Sequence, residues 1–296
     1  MSPTLSFAVE LAVSGLLVGV MYSLVALGFV LIYKASRVFN FAQGSMTLFA
    51  ALALVGVRPW VGFWPAVLLA ILLMTALAFG IERVVLRPLV GRPELAAFMA
   101  TIGLDFVLQG SAQAVWGTQP RGLDLGISPK PVSVGGVLIG RADLVGAGGA
   151  GLLVVGLIWF FQKTTMGLGL RAAADDHEAG LSVGIPLRRV WAVTWTMAGI
   201  VAVAAGILWG SRLGVHFAVA LIAFKALPVI IIGGAESIPG AILAGLLVGA
   251  GENLAEGFLG PLVGGGLNDV FAYLLALPVL LVRPYGLFGR EIIERV

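Results

Sequence analysis

Of 296 residues, 59% are hydrophobic and only 11% are charged, with a net charge of +3 and a mean hydropathy of +1.06. A soluble domain carries roughly 25% charged residues to cover its core, so the solvent for most of this chain is lipid and a water-soluble enzyme domain is excluded. The lack of cysteine excludes disulfides, zinc clusters and thiol chemistry, and the basic residues, scattered through short loops without interleaved aromatics, exclude a nucleic-acid binder.

In hydrocarbon every backbone N–H and C=O must be paired within the element, which leaves helices or a closed barrel. The apolar runs are long and do not alternate, so helices are predicted. The first charge-free run is Leu11–Tyr33, longer than the ~20 residues a span requires. The residues before it lack the basic start of a signal peptide, and the run is expected to stay as the first span. Phe41–Val57 is a second, shorter candidate, and Trp60–Ile81 a third. A polar break over Glu82–Glu94 precedes the fourth, Leu95–Trp116. Gly117–Asp143, rich in Gly and Pro, reads as an external loop with a small hairpin. Leu144–Phe161 is the fifth span. A polar segment, 162–189, separates it from the sixth, Val190–Gly210. Val215–Ile232, Ile238–Ala255 and the short Asp269–Val282 complete the chain, interrupted by Lys225, Pro228 and the cluster Gly233, Gly234, Pro239 and Gly240.

The expected fold is therefore all-α: one polytopic membrane domain over 1–296 with eight to nine transmembrane helices, some of them broken or re-entrant in the C-terminal third. With the N-terminus outside, Lys34, Arg37, Arg83, Arg87, Arg92, Lys163, Arg171, Arg188 and Arg189 fall in cytoplasmic loops. Arg58, Arg121, Lys130, Arg141 and Arg212 fall on the other side. The excess favours that orientation. The basic tail, Arg283, Arg290 and Arg295, also belongs in the cytoplasm, which favours nine crossings over eight.

Three sets of residues carry functional expectations. Gly15 and Gly19 stand at GxxxG spacing, and Ala241, Gly245 and Gly249 form a stripe four residues apart. Small residues mark helix contacts in lipid, although glycine is also simply common in membrane helices. Polar groups at membrane depth are costly and tend to face the bundle interior or a watery path. Here they are Asn40, Gln43, Asp105, Gln109, Gln113, Lys225, Glu236, Glu252 and Asn253, with Asp105 judged the deepest. Each is a candidate for the solute path or a structural partner of another polar group, and Lys225 and Glu236 alternatively snorkel to an interface. In the cytoplasmic segment Arg171–Arg188, Ala172–Ala174 favour helix, Asp175, Asp176 and Glu178 give it a charged face, and Gly180–Pro186 end it. Such a helical loop suits a docking surface for a cytoplasmic partner, or is a solvated connector.

The chain carries no GxxxxGK[ST] motif, and its two histidines, His177 and His216, fit neither a metal site nor a catalytic triad. No metal and no catalytic residue is expected, and energy from ATP must come from another subunit.

Four motifs in order, "ALGFVLIYKASRVFNFAQGSM", "RAAADDHEAGLSVGIPLRRV", "FKALPVIIIGGAESIPGAILAGLLVG" and "LVRPYGLFGR", resemble the branched-chain amino-acid permease family of bacterial ABC importers, in particular its H-type permease. The resemblance runs from about Gly15 to Gly289. It implies a second permease subunit, two cytoplasmic ATPase subunits that use ATP and Mg, an extracytoplasmic solute-binding protein, and an inner-membrane location. It also implies that Arg171, Ala174, Asp175, Asp176, Glu178, Gly184, Ile185 and Pro186 belong to the element that couples to an ATPase, with Ala174, Asp175, Gly184 and Ile185 on the family's recurrent positions. The family's "NFAHGE" stretch reads differently here, with Gln43 and Ser45. Relatives serve urea, short amides and aromatic acids besides branched-chain amino acids. The rival reading is a stand-alone facilitator or ion-coupled carrier with a midplane site at Gly233–Gly240. A receptor or scaffold is a third.

Overall fold

The computed structural model describes residues 3–89, 92–128, 130–134, 137–175 and 187–289. Ten α-helices appear among them: α1 (Pro3–Ser36), α2 (Gln43–Val61), α3 (Phe63–Ile81), α4 (Glu94–Trp116), α5 (Arg141–Lys163), α6 (Thr165–Asp175), α7 (Leu187–Leu213), α8 (Ile222–Gly233), α9 (Ile238–Val263) and α10 (Leu267–Val282). Among the described residues seven helical stretches are long and apolar enough to cross a membrane: 4–36, 43–61, 63–89, 95–116, 141–163, 189–213 and 238–263. Two shorter apolar helical stretches, 217–233 and 267–282, make up the rest of the eight to nine expected.

Three boundaries depart from the sequence reading. The second helix runs on to Val61 through Arg58 and Pro59, so Trp60 closes α2 instead of opening α3. The positive charge of Arg58 is tolerated there because it lies over the Phe63 ring, 5.7 Å from its centroid. The chain does not leave the helix at Glu82, the first residue of the expected break. Helix α3 continues through a π turn (Glu82–Leu86) and a 3-10 turn (Arg87–Leu89), because the buried Glu82 carboxylate receives two bonds from Arg87, 3.1 Å from Nε and 2.8 Å from Nη2. The expected seventh span, Val215–Ile232, is a 3-10 turn (Phe217–Leu221) followed by α8. At 1.5 Å per residue α8 is about 18 Å long, well short of a hydrocarbon core of about 30 Å. Helix α1 is the opposite case, at about 51 Å. It stops where Arg37, the only non-glycine residue with positive φ among the described residues, turns left-handed at φ 57° while its N–H still bonds Tyr33 O at 2.8 Å.

The loop after α4 holds the expected hairpin, β1 (Val132–Val134) antiparallel to β2 (Val137–Ile139). Its earlier part is tied to the chain after α7 by a reciprocal bridge, Arg121 N to Val215 O at 3.0 Å and Val215 N to Arg121 O at 2.8 Å.

The chain divides into two compact units. The first comprises Met1–Ala26, Leu125–Leu152 and Phe224–Val296; in it α9 packs against α10 and against the early part of α1. The second comprises Leu27–Asp124 and Leu153–Ala223; its core is α2, α3 and α7 packed on one another, with α4 against α2. Trp195, Phe29, Leu48 and Met74 are among its largest fully buried side chains.

Candidate functional site

In the second unit two of the polar candidates, Asn40 and Gln43, stand at the break between α1 and α2. Irregular backbone at membrane depth requires substitute partners, and side chains of the segment and of α4 supply them. The Asn40 side chain accepts from Ala42 N at 3.2 Å and donates to Gln43 Oε1 at 3.2 Å. Thr101, on α4, accepts from Phe41 N at 3.4 Å, and its hydroxyl lies 3.0 Å from Phe39 O. Phe29, Phe39, Phe41 and Phe98 surround the break as a chain of tilted and edge-on rings.

Gln43 is fully buried and opens α2. Its Nε2 donates to Ala198 O on α7 at 3.4 Å, and its backbone carbonyl accepts from Thr47 Oγ1 at 3.0 Å. Space for it exists because position 28 of α1 is glycine: a Cβ there would stand 2.5 Å from Gln43 Nε2. Two residues along α2, Ser45 donates to the Asp105 carboxylate of α4, whose other oxygen accepts from Gln109 Nε2 at 2.8 Å. Asp105 and Gln109 are half-buried, so Asp105 is less enclosed than Asn40 and Gln43, and Gln113 is exposed. Asn40, Gln43, Asp105 and Gln109 thus stand on two neighbouring helices and the turn between α1 and α2. They form two sets, the fully buried amides of Asn40 and Gln43 bonded within the protein, and the half-buried Asp105 carboxylate with Gln109 and the Ser45 hydroxyl.

In the first unit the two small-residue stripes meet. A Cβ on Gly15 would lie 2.5 Å from Gly249 O and one on Gly19 2.5 Å from Gly245 O. Ser23 Oγ, one turn further, donates within reach of Gly19 O at 2.8 Å and Ile242 O at 3.1 Å. Beside this crossing Tyr22 donates to Glu252 Oε2 at 2.9 Å, while Glu252 Oε1 is buried without a hydrogen-bond partner among the described residues. Ala241 is buried and stands against Gly233 at the turn that joins α8 to α9. Lys225 lies apart from these groups. It reaches Asp269 at 3.1 Å and Asn268 O at 3.2 Å near the start of α10, where the aspartate is largely exposed. Glu236 and Asn253 are half-buried.

The helix expected around Arg171 begins earlier, as α6, where Thr164 Oγ1 accepts from Gly167 N at 2.9 Å. Gly167 and Leu170 are buried while Leu168 is exposed, giving the helix two faces. Arg171, Ala174 and Asp175 lie in its last turns. Asp176, Glu178, Gly184, Ile185 and Pro186 lie outside the described residues.

Sequence reasoning overlooked Gly28, Thr101, Tyr22 and the Glu82–Arg87 pair. Hydroxyls and glycines are cheap in a span and carry no individual signal; Glu82 was legible only as a charge at the end of an apolar run.

A family profile described as branched-chain amino acid transport system / permease component matches residues 11–282. The high-affinity branched-chain amino acid transport system permease protein BraD of Pseudomonas aeruginosa is 30% identical, covering 99% of this chain and all of its own length. The corresponding LivH proteins of Salmonella typhimurium and Escherichia coli are each 28% identical over the whole of both chains. With its multi-pass helical architecture and a match of this length, the chain belongs to the family of branched-chain amino acid transport system permease components.

Proposed function

We propose that the chain is the permease subunit of an ATP-driven importer in the inner membrane and forms part of the path for branched-chain amino acids or a related small solute. The observation that carries this reading is the match along nearly the whole chain to permease components. The polar groups on α2, α4 and the α1–α2 break support it. An amino acid needs a path that is apolar for its side chain and polar for its two ends. Two sets of polar groups stand on these elements: the Asp105 carboxylate held by Ser45 and Gln109, and the amides of Asn40 and Gln43 at the break lined by phenylalanines. Position 45, where the resemblance expects an acid, recruits its carboxylate from α4 instead. The chain itself takes no cofactor; ATP and Mg are used by two cytoplasmic ATPase subunits, which dock on the segment 162–189 that α6 opens. A second permease subunit completes the path and an extracytoplasmic binding protein delivers the solute.

Proteoliposomes holding the chain with these partners test the proposal. Labelled leucine is expected to accumulate only with ATP inside and loaded binding protein outside; ATP-independent uptake would favour a facilitator. Asp105→Asn is expected to lower uptake roughly tenfold, since a hydrogen bond to a charged group is worth about 1.5–3 kcal/mol. Gly184→Trp is expected to leave insertion intact and separate ATP hydrolysis from uptake. Unchanged uptake in that variant would remove the docking role.

A further inference from the structure

Gly44, between Gln43 and Ser45, has no room for a side chain. A Cβ there would collide with Ala220 O and stand 2.8 Å from the Ala223 Cβ. Backbone of the 3-10 turn Phe217–Leu221 thus rests on the first turn of α2. Val219 and Ala220 are buried in this turn, while Leu221 is 59% exposed. Two interruptions of regular helix therefore meet at Gly44: the break at 37–42 that leads into α2, and the turn that leads into α8. Both lie in the second unit. Short 3-10 stretches often mark hinges, and membrane transporters build solute sites where helices are broken.

The turn is fixed from its start. His216 is extended, at φ −147° and ψ 172°, and caps it: the imidazole Nδ1 accepts from Ala218 N at 3.2 Å, and the carbonyl accepts from Val219 N at 2.9 Å. One residue earlier the fully buried Val215 makes the reciprocal bridge to Arg121, whose guanidinium donates to Trp116 O at 2.8 Å at the end of α4. Val215 anchors the chain ahead of the turn, and His216 sets the course of the turn itself. A five-residue 3-10 turn has poor hydrogen-bond geometry of its own, so its cap decides how well it keeps its shape.

We propose that the 3-10 turn is a wall of the solute path beside Gln43 and Ser45, and that His216 is the positioning residue that keeps it seated on Gly44. This rests on the chain being the permease subunit of an ATP-driven importer. His216 touches no solute in this role; it acts through the Ala218 N–H, and so through the place of Ala220 O. Without the cap the turn leaves Gly44, and the start of α2 opens out of step with ATP hydrolysis.

Because the chain has no cysteine and Ser45 is buried, Ser45→Cys gives a single thiol whose reaction with a small neutral methanethiosulfonate reports the cover over α2. In the full chain in nanodiscs, adding His216→Ala is expected to raise the labelling rate about fivefold, the scale of losing a helix cap. His216→Asn, which also caps, is expected to restore the slow rate. Gly44→Ala is expected to raise it too, and the two changes together to exceed the larger single effect by little, since both act on one contact. In proteoliposomes with the partner subunits, His216→Ala is expected to lower solute taken up per ATP hydrolysed about fivefold, and His216→Asn to recover it. A general loss of folded protein lowers both rates together and leaves that ratio unchanged. Equal labelling with and without His216→Ala would overturn the seating of the turn, and an unchanged ratio would overturn its part in the path. Wild-type uptake that ignores ATP would count against the importer reading alone, with labelling still deciding the turn.

Discussion

Gln43 occupies its place because Gly28 has no side chain. The amide sits in the space a β-carbon would take and from there reaches Ala198 O of α7. A buried amide of this kind is favourable only while its bonds are made, since a buried donor or acceptor left open costs about 1–3 kcal/mol. Gly28→Ala is therefore expected to push Gln43 off its acceptor and lower transport several-fold while the protein still inserts. In a Gln43→Ala background the same change meets open space and is expected to add little. Uptake by the two single variants and the double variant checks this; additive losses would show that Gly28 acts independently of Gln43. Asn40 and Thr101 have a different task, closing backbone bonds of the chain break that precedes α2.

The contact between α1 and α9 shows how elements find each other in lipid. Lipid supplies no hydrophobic reason for two helices to associate, so close approach of backbones and a few polar bonds must do it. Gly15 and Gly19 on one helix face Gly249 and Gly245 on the other, and Ser23 adds a hydroxyl at the next turn. Gly249→Val is expected to force α1 and α9 apart and lower stability by about 1–3 kcal/mol, the range for overpacking. The control is Gly148→Val on α5, where a β-carbon meets nothing within 4 Å. Thermal aggregation in detergent compares the two, and equal midpoints would mean that the crossing contributes nothing measurable. The π turn after α3 is a second lesson at this scale: a charge that reads as the end of a span is carried inside a continuous helix once a partner five residues on neutralises it.

Over the whole molecule, the orientation inferred from basic residues can be tested directly because the chain has no cysteine. Lys130→Cys, in the loop before the hairpin, is expected to react with a membrane-impermeant maleimide from outside the cell. Arg171→Cys, on α6, is expected to react only after permeabilisation. The reverse result would invert the topology. The bridge between Arg121 and Val215 agrees with the assignment in one respect, because it ties together the chain after α4 and the chain after α7, which the sequence reading puts on the same side.

Composition and run length were enough to determine the solvent, the all-α class and seven of the spans. Those properties are sums over many residues, and lipid permits few other solutions. Spacing was enough to single out both glycine stripes, and polarity within apolar runs to single out the buried amides Asn40 and Gln43. Their partners were not legible. Nothing in the sequence pairs Gly15 with Gly249, Ser45 with Asp105, or Tyr22 with Glu252, since each pair is far apart in the chain and joined only when helices pack. The halting of the seventh apolar run as a short α8, and the use of the closing motif to stitch that helix end through Leu287 N and Ile232 O, were likewise decided by tertiary structure. A helix end keeps or loses its place according to what stands next to its open backbone groups, and the neighbour comes from elsewhere in the chain.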